Sequence, residues 1–83
     1  MNYQLTQHAS EVIMEREIQF DWIDRTLDEP ELIREDIDDD ELQHYFRRIE
    51  ECGNRVLRVV INKRMNPKRL VTVYFDRTMK GKL

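Results

Sequence analysis

The sequence predicts an α+β domain in which two N-terminal helices pack on a twisted antiparallel sheet of three to four strands. Three observations predict it. Arg55 to Arg77 reads as two apolar arms, RVLRVVIN and RLVTVYFDR, joined by the polar loop Lys63 to Lys68. Val, Ile, Thr, Tyr and Phe dominate both arms, and such side chains suit a pleated, half-buried surface. Residues 7–27 place apolar side chains at helical spacing. Leu42 to Glu51 leads through Cys52-Gly53-Asn54 into the first arm, and Gly-Asn pairs favour hairpin turns.

Taken in order, Tyr3-Gln4-Leu5 is a short strand or a lead-in. Thr6 is a good helix N-cap, because its hydroxyl can accept from a free backbone N–H of the first turn. The helix that follows runs Gln7 to Glu17, with Ala9, Val12, Ile13 and Arg16 on one face. A second helix, Phe20 to Leu27, aligns Phe20, Ile23 and Leu27, flanked by Trp22 and Thr26. Pro30 stops it, since the residue before proline avoids the α region. Only a residue or two join the helices, so they cross at a large angle and cover one face of a sheet.

Leu32-Ile33-Arg34 is a possible short strand. The carboxylate run from Glu35 to Glu41, broken only by Ile37, reads as a solvated loop. It lacks the glycine and the spaced ligands of a calcium loop. Leu42 to Glu51 fits either a helix or a strand, and the turn after it favours the strand. The meander is then roughly 42–51, 55–63 and 69–76. Leu57, Val59 and Ile61 share one face of its second strand, and Val71, Val73 and Phe75 share one face of its third, opposite Leu70, Thr72 and Tyr74. The basic tail Arg77 to Leu83 is expected to be mobile unless a partner fixes it.

The 83 residues make one domain, 1–83. A chain this small buries only roughly 60% of its unfolded surface, so the core is modest and a homodimer would help. The single cysteine, Cys52, excludes an internal disulfide. The start MNYQLTQHASE has no basic stretch followed by an apolar run, and no segment reaches the ~20 apolar residues of a bilayer span. A cytoplasmic protein without membrane contact is expected.

The net charge of −3 conceals an asymmetry. Residues 1–54 carry 16 acidic and 5 basic side chains, and residues 55–83 carry 9 basic side chains against Asp76, so −11 and +8 make up the total. Either the basic half forms a surface for an anion such as a nucleic-acid backbone, or the halves neutralise one another within a monomer or across a dimer. The pI near 5.4 argues against indiscriminate nucleic-acid binding.

Several stretches together carry a family resemblance. They are His8-Ala9 with Glu15-Arg16-Glu17-Ile18, Trp22-Ile23 with Thr26-Leu27 and Pro30, and Leu42-x-His44-x-x-x-Arg48-Ile49. Asn54 to Val60, Val71 to Arg77 and Met79 to Leu83 complete the set. The chain resembles the small bacterial proteins grouped as domain of unknown function 4258, over nearly its whole length. Glu17 stands where that pattern leads one to expect glycine. The family is more distantly similar to RelE-like and BrnT-like ribonuclease toxins, which implies a RelE/barnase-like fold and an RNA-cleaving ancestry.

Metal-free RNA cleavage needs a base, an acid and cations for the phosphorane. Histidine titrates near neutrality and guanidinium matches phosphate oxygens, so His8, His44 and Arg48 are the candidate catalytic residues. Arg16, Arg58, Thr72, Tyr74, Arg77 and Lys80 are candidate RNA contacts. Each also has a plain structural role open to it: His8 as a helix-start residue, His44 as a cross-strand polar partner, Arg16 as an ion-pair member, Tyr74 as core edge. Two histidines without a third spaced ligand give no zinc motif, and no base is tied to Cys52, so neither metal nor cofactor is expected. Two functions follow as expectations. One is a metal-independent ribonuclease, or a degenerate relative, acting on RNA and held by an antitoxin-like protein partner. The other is a non-enzymatic module that binds a protein or itself through acidic loop 35–41 and basic tail 77–83.

Overall fold

The computed structural model describes residues 1–83. The chain runs β1 (Tyr3–Leu5), α1 (Gln7–Glu15), α2 (Phe20–Asp28), β2 (Leu32–Glu35), β3 (Leu42–Ile49), β4 (Arg55–Asn62) and β5 (Lys68–Phe75). Short 3₁₀ turns at Glu50–Cys52 and Arg77–Met79 follow β3 and β5. The strands form one five-stranded sheet in the order β1-β5-β4-β3-β2. The α+β class holds, but the sheet is mixed and larger than expected: β1 pairs parallel with β5, while all other pairs are antiparallel. Tyr3-Gln4-Leu5, open in the sequence between strand and lead-in, is a strand, and its parallel pairing with β5 is a long-range contact that so short a stretch does not encode.

Both helices cover one face. Ala9 and Ile13 of α1, Ile23 and Leu27 of α2 and the linking Ile18 meet Tyr45, Ile49, Leu57, Val59, Ile61, Leu70 and Val73 of the sheet. Phe20, expected in the stripe of α2, is half exposed, and the fully buried Thr26 takes its place, its hydroxyl donating to the Trp22 carbonyl at 2.8 Å. Thr26 is tolerated because that bond satisfies its only strong donor. Arg47 also faces the helices, and its Nη1 donates to the Glu29 carbonyl at 2.7 Å, closing the C-terminus of α2.

The third strand does not alternate as expected. Val60 opposes Thr72 but Ile61 opposes Leu70, so Val71 bulges out of the ladder. The extra residue turns Leu70 onto the helix face beside Val73, and both are fully buried. Thr6 anchors α1 at this bulge. Its hydroxyl accepts from Ala9 N–H and donates to the Val71 carbonyl, both at 3.1 Å, so the predicted cap also fixes the helix to the sheet.

The opposite face is covered only in part. Met79, 6% exposed, packs with Phe46 and Val56, and Leu32 and Leu83 border the cluster. The tail is therefore docked, not free. Burying a side chain such as Met79 contributes about 1.5–3 kcal/mol to holding the tail, whose first turn is capped by Asp76.

Candidate functional site

The expected catalytic residues do not meet. His8 stands exposed at the start of α1, with Nε2 3.3 Å from Thr72 Oγ1 at the free edge of β5. His44 lies two strands away across Val60, about 10 Å at ordinary strand spacing. Arg48 grips Glu31 through Nη2 at 2.6 Å and Nε at 3.1 Å, and this pairing pulls the Glu31 carboxyl below its ordinary range. Arg16 sits at the far end of α1.

His44 and Arg58 do meet, inside a chain of bonds that crosses the uncovered face. Arg58 Nε donates to His44 Nδ1 at 2.8 Å, and His44 Nε2 lies 2.6 Å from Asp36 Oδ1. An arginine has no acceptor, so Nδ1 must carry the lone pair and Nε2 the proton that goes to Asp36. Arg58 Nη1 donates to Asp76 Oδ2 at 2.7 Å, while Thr78 N–H and O–H donate to Asp76 Oδ1. The guanidinium also lies 4.8 Å from the Phe46 ring centroid. Burial pushes the Asp76 carboxyl up, but the bonds from Thr78 and Arg58 outweigh it and leave the group below its ordinary range. The His44 bond, helped by the backbone N–H groups of Asp38 and Asp39, likewise lowers Asp36. Both ring nitrogens of His44 are thus engaged, and no lone pair is left for proton abstraction. The network ties the acidic loop to the C-terminal turn.

A different place gathers the free cations. α1 ends in a Schellman motif: Ile18 N–H donates to the Ile13 carbonyl and Glu17 N–H to the Met14 carbonyl. Glu17 takes the left-handed position at φ 53°, where glycine is at ease. The departure noted in the sequence is therefore a strained residue in a turn that keeps its shape. That turn and the ends of β4 and β5 enclose a groove of about 280 Å³, whose walls include Arg16, Glu17, Trp22, Arg55, Tyr74 and Arg77. A second cavity of about 260 Å³ adjoins it, sharing Arg55, Phe75 and Arg77 and adding Val56, Asp76 and Lys80. Arg16, Arg55, Arg77 and Lys80 are exposed, and none joins the eight ion pairs of the chain. Arg55 instead lies over Phe75, 4.1 Å from its ring centroid, and Trp22 meets that ring edge-on at 5.8 Å.

The acidic loop does not cancel this charge. It lies beyond the Leu42–Asn62 pair, whereas the groove lies at the Arg55 end of the same strand. Eight residues of strand separate them by about 23 Å, well past the ~8 Å screening length at physiological salt. Near the loop, Lys63 pairs with Glu35 and Arg64 with Asp40. The loop is thus neutralised in part by its own neighbours and does not reach the cations of the groove.

Of the expected RNA contacts, Arg16, Tyr74, Arg77 and Lys80 converge on these two cavities, whereas Arg58 is taken up by the network and Thr72 by His8. Arg55, Phe75 and Trp22 went unnoticed in the sequence. Alternation put Arg55 on the apolar face with Leu57, Val59 and Ile61, and nothing in the sequence showed that this end of the strand lies close to α1. No group of three or more His, Cys, Asp or Glu side chains is placed to hold a metal ion, and no helix is long and apolar enough to cross a membrane.

A family model described as a domain of unknown function (DUF4258) matches residues 5–75. The chain belongs to this family. Neither the curated proteins nor the solved structures include a significant match to it.

Proposed function

We propose that the domain binds RNA, with the sugar-phosphate backbone lying in the groove between the α1–α2 turn and the ends of β4 and β5. One observation carries this: Arg16, Arg55, Arg77 and Lys80 line two adjoining cavities that share Arg55 and Arg77, and none of the four has a carboxylate partner. Unpaired cations around a concave wall focus the local field and attract polyanions even on a chain of net charge −3. Three aromatic rings in the same wall suit nucleic acid better than a small anion. A RelE-like ancestry, with helices on one sheet face, is compatible with an RNA ligand. The bonded-up His44, the Glu31-bound Arg48 and the distant His8 favour binding over cleavage.

The test is fluorescence anisotropy on an end-labelled single-stranded RNA in EDTA, across a salt series. Four phosphate contacts predict a log–log salt slope of about −3, and each cation removed should reduce it by about 0.7. Arg55→Ala with Arg77→Ala should weaken binding at least tenfold, while Lys63→Ala with Arg64→Ala should leave it unchanged. Equal loss from both pairs, or no binding at all, would sink the proposal. The same RNA run on a denaturing gel should stay intact; cleavage abolished by His8→Ala or His44→Ala would make the domain a nuclease instead.

A further inference from the structure

We infer that the cavity between Arg55, Arg77 and Lys80 holds one unstacked base, so that the ligand of the groove is a single strand and not a duplex. This rests on the RNA-binding proposal above and adds which form of RNA is taken.

The two cavities are adjacent but chemically unlike. The one beside Arg16 has polar walls and three guanidiniums against one carboxylate, Glu17. Phosphate belongs there. The one beside Lys80 presents mostly carbon, from Val56, Phe75 and the stems of its cations. Its carboxylate, Asp76, repels phosphate, and both of its oxygens are already occupied by Arg58 and Thr78. At about 260 Å³ it falls short of the ~300–1,000 Å³ of sites for drug-sized ligands, which suits one flat ring system.

The stacking surface is Arg55. One face of its guanidinium lies on Phe75 at 4.1 Å, and the residue lines both cavities, so the other face is offered to an occupant. Bases stack on guanidinium planes as they do on aromatic rings, and only a base out of its helix can do so. The ring beneath is braced by Trp22. Arg55 then serves both cavities, one face of its plane under the base and its N–H edge toward the neighbouring phosphate.

The experiment is competition against labelled single-stranded RNA with the unaltered chain. Competitors are the same strand unlabelled, an abasic phosphodiester strand of equal length, the RNA duplex, and inorganic polyphosphate of matched charge. The base-bearing single strand should compete on the order of tenfold better than the other three at equal salt. If the abasic strand or polyphosphate competes within twofold of the RNA, the base pocket is refuted while backbone binding stands. If nothing displaces or binds, both fall. Phe75→Leu, which leaves the charge unchanged, should weaken single-stranded RNA severalfold and the abasic strand not at all. An equal loss on both also refutes the pocket, and circular dichroism checks that this variant folds.

Discussion

Replacing Arg58 by alanine should destabilise the domain, with a loss of RNA affinity small beside that of Arg55→Ala with Arg77→Ala. Arg58 donates to His44 Nδ1 at 2.8 Å and to Asp76 Oδ2 at 2.7 Å. Its removal leaves one oxygen of a carboxylate that is 6% exposed without a partner, and a buried imidazole nitrogen as well. Removing one member of a fully buried pair costs about 3–5 kcal/mol. Arg58 keeps 26% of its side chain in water, so the cost here is about 2–3 kcal/mol. For a domain of this size that lowers the melting temperature by about 10–20 °C. Thermal and urea unfolding measure it, with Asp76→Ala and the double variant completing a cycle. The coupling energy should exceed about 1 kcal/mol. An Arg58→Ala chain that melts within about 3 °C of the parent, or that unfolds normally but loses RNA, would refute the assignment of Arg58 to the scaffold.

Glu17→Gly should raise stability by about 1 kcal/mol, because a side chain at positive φ costs about that much, and should also tighten RNA binding by removing the groove's one free carboxylate; chemical unfolding and anisotropy check both. Asp36 and Asp76 have folded-state pKa values below their unfolded ones, so their contribution is complete above about pH 5 and fades as pH falls below about 4. Melting curves at pH 7, 5 and 3 should show that loss, and Asp76→Asn should flatten it; a steeper acid loss in Asp76→Asn would contradict the sign. Met79→Ala should cost about 2 kcal/mol and speed proteolysis of residues 77–83 first, whereas a mobile tail would make the change silent.

Local chemistry in the sequence determined the strands β3 to β5, both helices, the Thr6 cap and the faces of β4. Each rests on short-range periodicity or on a turn residue, and for β3, whose spacing also fits a helix, the turn after it decided. The expectation of glycine at position 17 anticipated the left-handed turn that Glu17 now occupies under strain. The tertiary structure alone decided the rest. The bulge at Val71 exchanged Leu70 onto the core face, because a ladder irregularity depends on the partner strand and on Thr6 below it. His44 and Arg58 passed from candidate site to scaffold, because fourteen residues of sequence separation hide a 2.8 Å bond across two strands. The tail became part of the domain through Met79. Arg16 from the end of α1, Arg55 from the start of β4 and Arg77 with Lys80 from beyond β5 are scattered along the chain. Only the crossing of the helix pair over the sheet end brings them to two adjoining cavities as a cluster of unpaired positive charge.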